Sequence, residues 1–131
     1  MRRNKYGNHK IRTREGVIDS KIEYHRWLYL QEREKAGEIS DLRRQVPFVI
    51  IPKQTEIIEV QLKTKVKHVE RVTEMPTSYV ADFVYLKDGK QVIEDAKSDF
   101  TRKNDTYIMK RKLMRLQGNP IREITRATEE I

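Results

Sequence analysis

At 131 residues the chain is the size of one compact domain, with little room for a second core. Its 28 Lys and Arg against 20 Asp and Glu leave a net charge of +8, the mark of a polyanionic partner: a nucleic-acid backbone, an acidic protein or an anionic membrane surface. The absence of cysteine excludes disulfides, thiolate zinc sites and cysteine nucleophiles. His9, His25 and His68 are too scattered for a metal motif. No apolar run approaches the roughly 20 residues of a membrane span, and the basic N-terminus leads into no apolar signal segment. A soluble, cytoplasmic protein with no membrane partner is expected.

Residues 1–15 are basic and polar, with Tyr6 the one aromatic, and read as a mobile arm ahead of a single domain over 16–131. Asp19 or Ser20 is placed to cap a helix starting near Lys21, which Gly37 would end. In that helix Tyr24, Trp27, Leu28 and Gln31 are spaced as the inward stripe, with Glu23 at its edge four residues before Trp27. "VPFVII", 46–51, reads as a short buried strand. From Ile57 to Val72 the pattern alternates as a long hairpin, and its basic tip at Lys63, Thr64 and Lys65 is placed to touch a polyanion.

Two further strands, about 79–87 and 90–97, are joined by "KDGK", in which Asp88-Gly89 is among the strongest short hairpin signals. A helix over about 104–117 sets Met109, Leu113 and Leu116 at apolar spacing, with Lys110, Arg111, Lys112 and Arg115 outside or at its border, and ends at Gly118. "IREIT", 121–125, reads as a last strand. Helix, three or four strands, helix, strand is the order of an α/β or α+β domain with a mixed sheet, and leaves the strand order unread.

The Asp88-Gly89 turn carries a chemical consequence. A two-residue loop pairs Lys87 with Lys90, and the same register runs back through Val84 with Ile93 and Phe83 with Glu94 to Asp82 with Asp95 and Val80 with Lys97. Asp82, Asp95 and Lys97 then share a face with apolar neighbours, and Glu94 is left on the other face. Directly opposed side chains stand roughly 5 Å apart at Cβ, and like charges there are destabilising. A divalent metal resolves the conflict, because Mg²⁺ prefers carboxylate oxygens and keeps waters that a phosphate can replace. Lys97 beside them would stabilise charge on a phosphate or orient a water for attack. The ordinary alternative is a solvent-facing hairpin in which Lys97 neutralises Asp95. Against it, "YVADFVY" around Asp82 is apolar on both pleats and Asp95 follows "VI", so neither strand has a polar face to spare.

Asp82, a hairpin and then Asp95-Ala96-Lys97 resembles the PD-(D/E)XK nuclease superfamily. More narrowly, "NKYGN" at 4–8, "DSKIEYHRWLYLQEREKAGEI" at 19–39, "YVADFVY" at 79–85 and "VIEDAKS" at 92–98 resemble a small family of endonuclease-like phage and prophage proteins. The resemblance covers most of the chain outside the hairpin tip near 63–67. It implies a restriction-endonuclease-like α/β core, a mixed β-sheet flanked by helices in αβββαβ-like order. It also implies Asp82 and Asp95 as metal ligands, Lys97 as the motif lysine, Glu23 as a further acidic group of the site that joins the two aspartates in holding one or two ions, and Gln45 as a support of the ligands or a substrate contact. The proline of the superfamily's name is absent before Asp82, where Val80-Ala81 stands.

Each assignment has a plainer counterpart: Glu23 pairs with Arg26 at helical spacing, Gln45 satisfies backbone groups at a strand start, and the basic residues of the last helix are a solvated face. Because Arg102, Lys103, Lys110, Arg111 and Lys112 follow the motif lysine closely, phosphate contacts from them are expected together with those of Lys63 and Lys65. The expectation is a Mg²⁺-dependent DNA endonuclease, with Mn²⁺ substituting, acting on branched DNA such as a Holliday junction. It is expected to act as a homodimer, since such a substrate has two strands to cut, within a phage host's cytoplasm. The alternatives are a non-catalytic DNA-binding recombination accessory protein with the same fold, and an RNA-binding or anti-host interaction protein using the basic surface.

Overall fold

Turn chemistry and alternation set most of the elements seen in the computed structural model, which describes residues 21–96 and 103–131 and the backbone of 11–13 and 16–18. The cap assigned to Asp19 or Ser20 lies outside the described residues, as do Lys97 and Arg102. Two short strands, β1 (Ile11–Thr13) and β2 (Gly16–Ile18), pair antiparallel, so part of the stretch read as an arm has paired backbone. Helix α1 (Lys21–Lys35) follows, then β3 (Ser40–Ile51), β4 (Gln54–Gln61), β5 (Val66–Glu74), β6 (Thr77–Lys87), β7 (Lys90–Ala96), helix α2 (Asp105–Leu116) and β8 (Arg122–Ile124).

The two described helices stop in the same way. Gly37 and Gly118 take φ of +80° and +86°, a conformation open to glycine at little cost. The next residue's N–H then reaches back to a last-turn carbonyl, Glu38 to Arg33 at 3.0 Å and Asn119 to Met114 at 2.9 Å. At the start of α2, Asn104 accepts the Tyr107 N–H at 3.1 Å.

The architecture is mixed α/β, a four-stranded sheet in the order β3-β6-β7-β8 flanked by two helices, with β4-β5 as a separate two-stranded sheet. β3, β6 and β7 run antiparallel, whereas β8 lies parallel to β7. The β6–β7 register is the one the Asp88-Gly89 turn dictates, Lys87 opposite Lys90 through to Phe83 opposite Glu94.

Each face of the sheet has its own core. Leu30 of α1 packs with Ile39, Phe83, Tyr85, Ala96 and Ile124, and the Trp27 ring stacks on Phe83 at 6.0 Å. On the other face Tyr107 and Met114 of α2 pack with Ile50, Tyr79, Ala81, Val84 and Ile93. Two helical stripes therefore differ from the sequence expectation. α1 buries Glu23, Arg26 and Leu30 while Leu28 is exposed; α2 buries Tyr107 and Met114 while Met109 and Leu116 face solvent. The third strand is also longer than 46–51, starting at Ser40, and of its residues only Ile50 is buried.

The reason α1 turns Arg26 inward is Glu94. Both side chains are fully buried and pair bidentately, Arg26 Nε to Glu94 Oε1 at 2.8 Å and Nη2 to Oε2 at 2.7 Å. Arg26 Nη1 also donates to the carbonyls of Ala127 and Glu129. Tyr85 Oη donates to Glu94, and Arg122 Nη1 approaches it at 3.4 Å. Burial alone would lower the Arg26 pKa, but the Glu94 carboxylate outweighs it and the net shift is upward. Breaking such a pair strands a buried charge. Glu94→Gln is therefore expected to cost roughly 3–5 kcal/mol in urea unfolding. Replacing both partners by apolar residues should cost less than the two single changes summed.

Candidate functional site

One line of polar residues crosses the sheet. On β3, Arg44 pairs with Phe83 and Val46 with Ala81, which sets Gln45 across from Asp82. On the far side of β6 the ladder ends at Phe83 and Glu94, so the next positions are Asp82 and Asp95. β8 then places Glu123 beside Asp95 in parallel register. The row reads Gln45, Asp82, Asp95, Glu123, one residue from each strand.

The sheet is irregular along this row. Leu42 packs on the α1 side and Val46 on the α2 side, although regular alternation would give them the same face. β6 does likewise, with Ala81 and Val84 both on the α2 side. The switch falls at Gln45 and Asp82, and Gln45 has φ of +51°, a left-handed backbone that a residue with a Cβ adopts at a cost of about 1 kcal/mol.

Asp82 and Asp95 are both buried, 7% and 1% exposed. Asp82 Oδ2 accepts the Ala96 N–H at 2.8 Å, which continues the hairpin where its backbone ladder has stopped. Asp95 Oδ2 accepts the hydroxyl of Tyr79. Glu123 pairs with Arg111 of α2 at 3.2 Å. Burial first, and then the Asp95 carboxylate, push the pKa of Tyr79 and Tyr107 well above the usual tyrosine value, with Asp82 adding to both. Asp82 and Asp95 thus lie in one electrostatic neighbourhood with two neutral phenols.

Glu23 reaches the row from α1. It is 4% exposed, and Gln45 Nε2 donates to its Oε1 at 2.9 Å. The pairing of Glu23 with Arg26, the plainer reading at helical spacing, is displaced because Arg26 is engaged by Glu94. Among the described residues, no group of three or more His, Asp or Glu is placed to hold one metal ion. The set Asp82 and Asp95 nonetheless has the right chemistry for Mg²⁺, which binds through one or two carboxylates and fills its remaining positions with water and substrate phosphate.

A family model matches residues 3–128. The chain belongs to DUF1064, described as a protein of unknown function. No curated protein and no solved structure matches it.

The described basic residues expected to contact phosphate divide into two groups. Lys63 and Lys65 are exposed at the tip of the β4–β5 hairpin, whose two strands pair with each other and not with the main sheet. Lys103 is exposed just before α2, and Lys110, Arg111 and Lys112 lie on that helix. Arg111 and Lys112 join Arg115, Pro120, Ile121 and Glu123 around an open cavity of about 350 Å³, so the basic helix meets the carboxylate row at Glu123. Lys97, two residues beyond Asp95, lies outside the described residues.

Sequence reasoning missed Tyr79, Tyr107 and Glu123. Tyr79 and Tyr107 look like ordinary core aromatics, and each joins the site only through a fold-dependent approach to Asp95. Glu123 was visible in "IREIT", but nothing in the chain said that this strand lies beside β7.

The buried phenols predict an alkaline limit to stability. Tyr79, Tyr85 and Tyr107 have folded pKa values above the unfolded value of 10.0, so the stability they hold is fully present below that pH and is lost as pH rises above it. Chemical denaturation should show stability declining above pH 10 by up to roughly 1.4 kcal/mol per pH unit for each phenol. Tyr79→Phe and Tyr85→Phe should each flatten that limb.

Proposed function

We propose that the chain is a metal-dependent DNA endonuclease with a restriction-endonuclease-like core, selective for branched DNA such as a Holliday junction. The observation that carries this reading is the joining of two buried carboxylates, Asp82 and Asp95, at the end of a hairpin whose next strand leads toward a basic helix. Burying two like charges side by side is costly unless something compensates. Neutral donors, the Ala96 N–H and the Tyr79 hydroxyl, each engage one oxygen.

In this proposal Asp82 and Asp95 hold Mg²⁺, with Mn²⁺ able to replace it, and Glu23 acts from α1 through its bond to Gln45. The ion would supply Lewis acidity toward the phosphate and a more acidic bound water. The chain's own groups do the rest. Lys97 stabilises charge developing on the scissile phosphate or orients the attacking water. Lys103, Lys110, Arg111, Lys112 and Arg115 are placed to take backbone phosphates on the α2 side, with Arg102 just ahead of them in sequence. Contacts of this kind position a duplex and carry no sequence information, which favours selection by DNA shape. Two strands must be cut to resolve a junction, so two copies of the chain are proposed to act together.

The test is cleavage of a labelled four-way junction, compared with linear duplex, with and without Mg²⁺. The parent should cut the junction in a metal-dependent way, and Asp82→Asn, Asp95→Asn and Lys97→Ala should each lower the rate by about 10²-fold or more while retaining DNA binding. Variants that cut as fast as the parent would overturn the catalytic assignment. Binding without any cleavage by the parent would favour a non-catalytic recombination accessory protein with the same fold.

A further inference from the structure

The β4–β5 hairpin has strands of eight and nine residues, forms a sheet of its own with no strand of the main sheet paired to it among the described residues, and among its residues only Ile58 and Val69 are even half-buried. A lone two-stranded hairpin is marginal in water and gains independent stability by packing a face against something. Its register shows which face. Ile58 opposes Val69, Val60 opposes Lys67 and Glu56 opposes Arg71, so Ile58, Val60 and Val69 form an apolar strip on one side. The opposite side also carries three apolar residues, but Ile57 stands against Glu70, Val66 against Gln61 and Val72 against Thr55, with the Glu59–His68 contact between them, so no directly opposed apolar pair forms there.

Charge is split along the arm. The half nearest the main sheet, residues 54–58 and 69–74, holds Glu56, Glu70 and Glu74 against Arg71, a net −2; the outer half, 59–68, holds Lys63, Lys65 and Lys67 against Glu59, a net +2. A polyanion fits the tip and is repelled by the base. A second arm laid antiparallel fits both, because each basic tip then meets the other's acidic base while the apolar strips face each other.

We infer that the β4–β5 hairpin is the surface through which two copies of this chain associate, face to face and antiparallel. The inference rests on the two-copy part of the function proposed above and is independent of whether the chain cuts DNA. It assigns Lys63 and Lys65 to the partner copy.

The test is the mass of the full-length protein in solution without DNA, by sedimentation equilibrium and native mass spectrometry. The parent should be a dimer. Ile58→Glu, on an arm outside both cores, should weaken association at least ~10-fold. A tip-reversed variant, Lys65→Glu with Lys67→Glu, makes both halves negative; a base-reversed variant, Glu56→Lys with Glu74→Lys, makes both positive. Each alone should be monomeric, and an equimolar mixture should form the heterodimer. A monomeric parent, or single variants that remain dimers, would overturn the inference. So would a tip-reversed variant that loses DNA affinity while the parent's mass stays monomeric, since the arm would then serve DNA. A dimer that fails to cleave a junction would overturn the nuclease reading and leave this one standing.

Discussion

The buried pair of Arg26 and Glu94 is the constraint on which the rest of the structure depends. Two charges taken out of water are tolerated only when geometry and additional hydrogen bonds are good. Glu94 has Arg26 on both oxygens, Tyr85 and Arg122, while Arg26 also holds the Ala127 and Glu129 carbonyls. Five separate parts of the chain, α1, β6, β7, β8 and the C-terminal segment, meet at this point. It sets the rotation of α1 and clamps the tail against the sheet. Hydrophobic packing of Leu30 and Trp27 alone would not select that rotation, because an amphipathic stripe on Tyr24, Trp27, Leu28 and Gln31 fits the same sequence.

β7 separates the two kinds of acid. Glu94 and Asp95 are neighbours in sequence and point to opposite faces. Glu94 meets a bidentate arginine and is neutralised in place; Asp95 meets a tyrosine hydroxyl and a second aspartate across the hairpin. Adjacent carboxylates thus have different surroundings, one a buried arginine and one a tyrosine hydroxyl beside a second aspartate, and the pleat keeps them apart.

Much of this is legible in the sequence. Asp88-Gly89 determined a register, and that register put Asp82 and Asp95 together and sent Glu94 away. Gly37, Gly118 and Asn104 marked helix ends by local backbone demands. What stayed hidden depended on contacts distant in sequence. The stripe of α2 was misplaced because Met109 and Leu116 have the spacing of core residues, whereas Tyr107, with its polar hydroxyl, is the one drawn into the core beside Tyr79. Arg26 and Glu94 lie 68 positions apart, and each has a plausible local role. The neighbour of β7 could not be named either, since a parallel partner arrives through a crossover and leaves no turn signature.

The left-handed backbone at Gln45 joins the two layers of the fold. A perfectly alternating β3 would keep Leu42 and Val46 on one face. The switch at Gln45, matched at Asp82 on the neighbouring strand, lets β3 and β6 serve the α1 core at one end and the α2 core at the other. At that point a side chain from the α1 layer meets the carboxylate row, because Gln45 faces Asp82 in the register and donates to Glu23. A chain that needed only a stable sheet would place glycine at such a φ, or avoid the switch. Glutamine there accepts the backbone cost and donates to Glu23 of α1 from the position that stands across from Asp82 in the register.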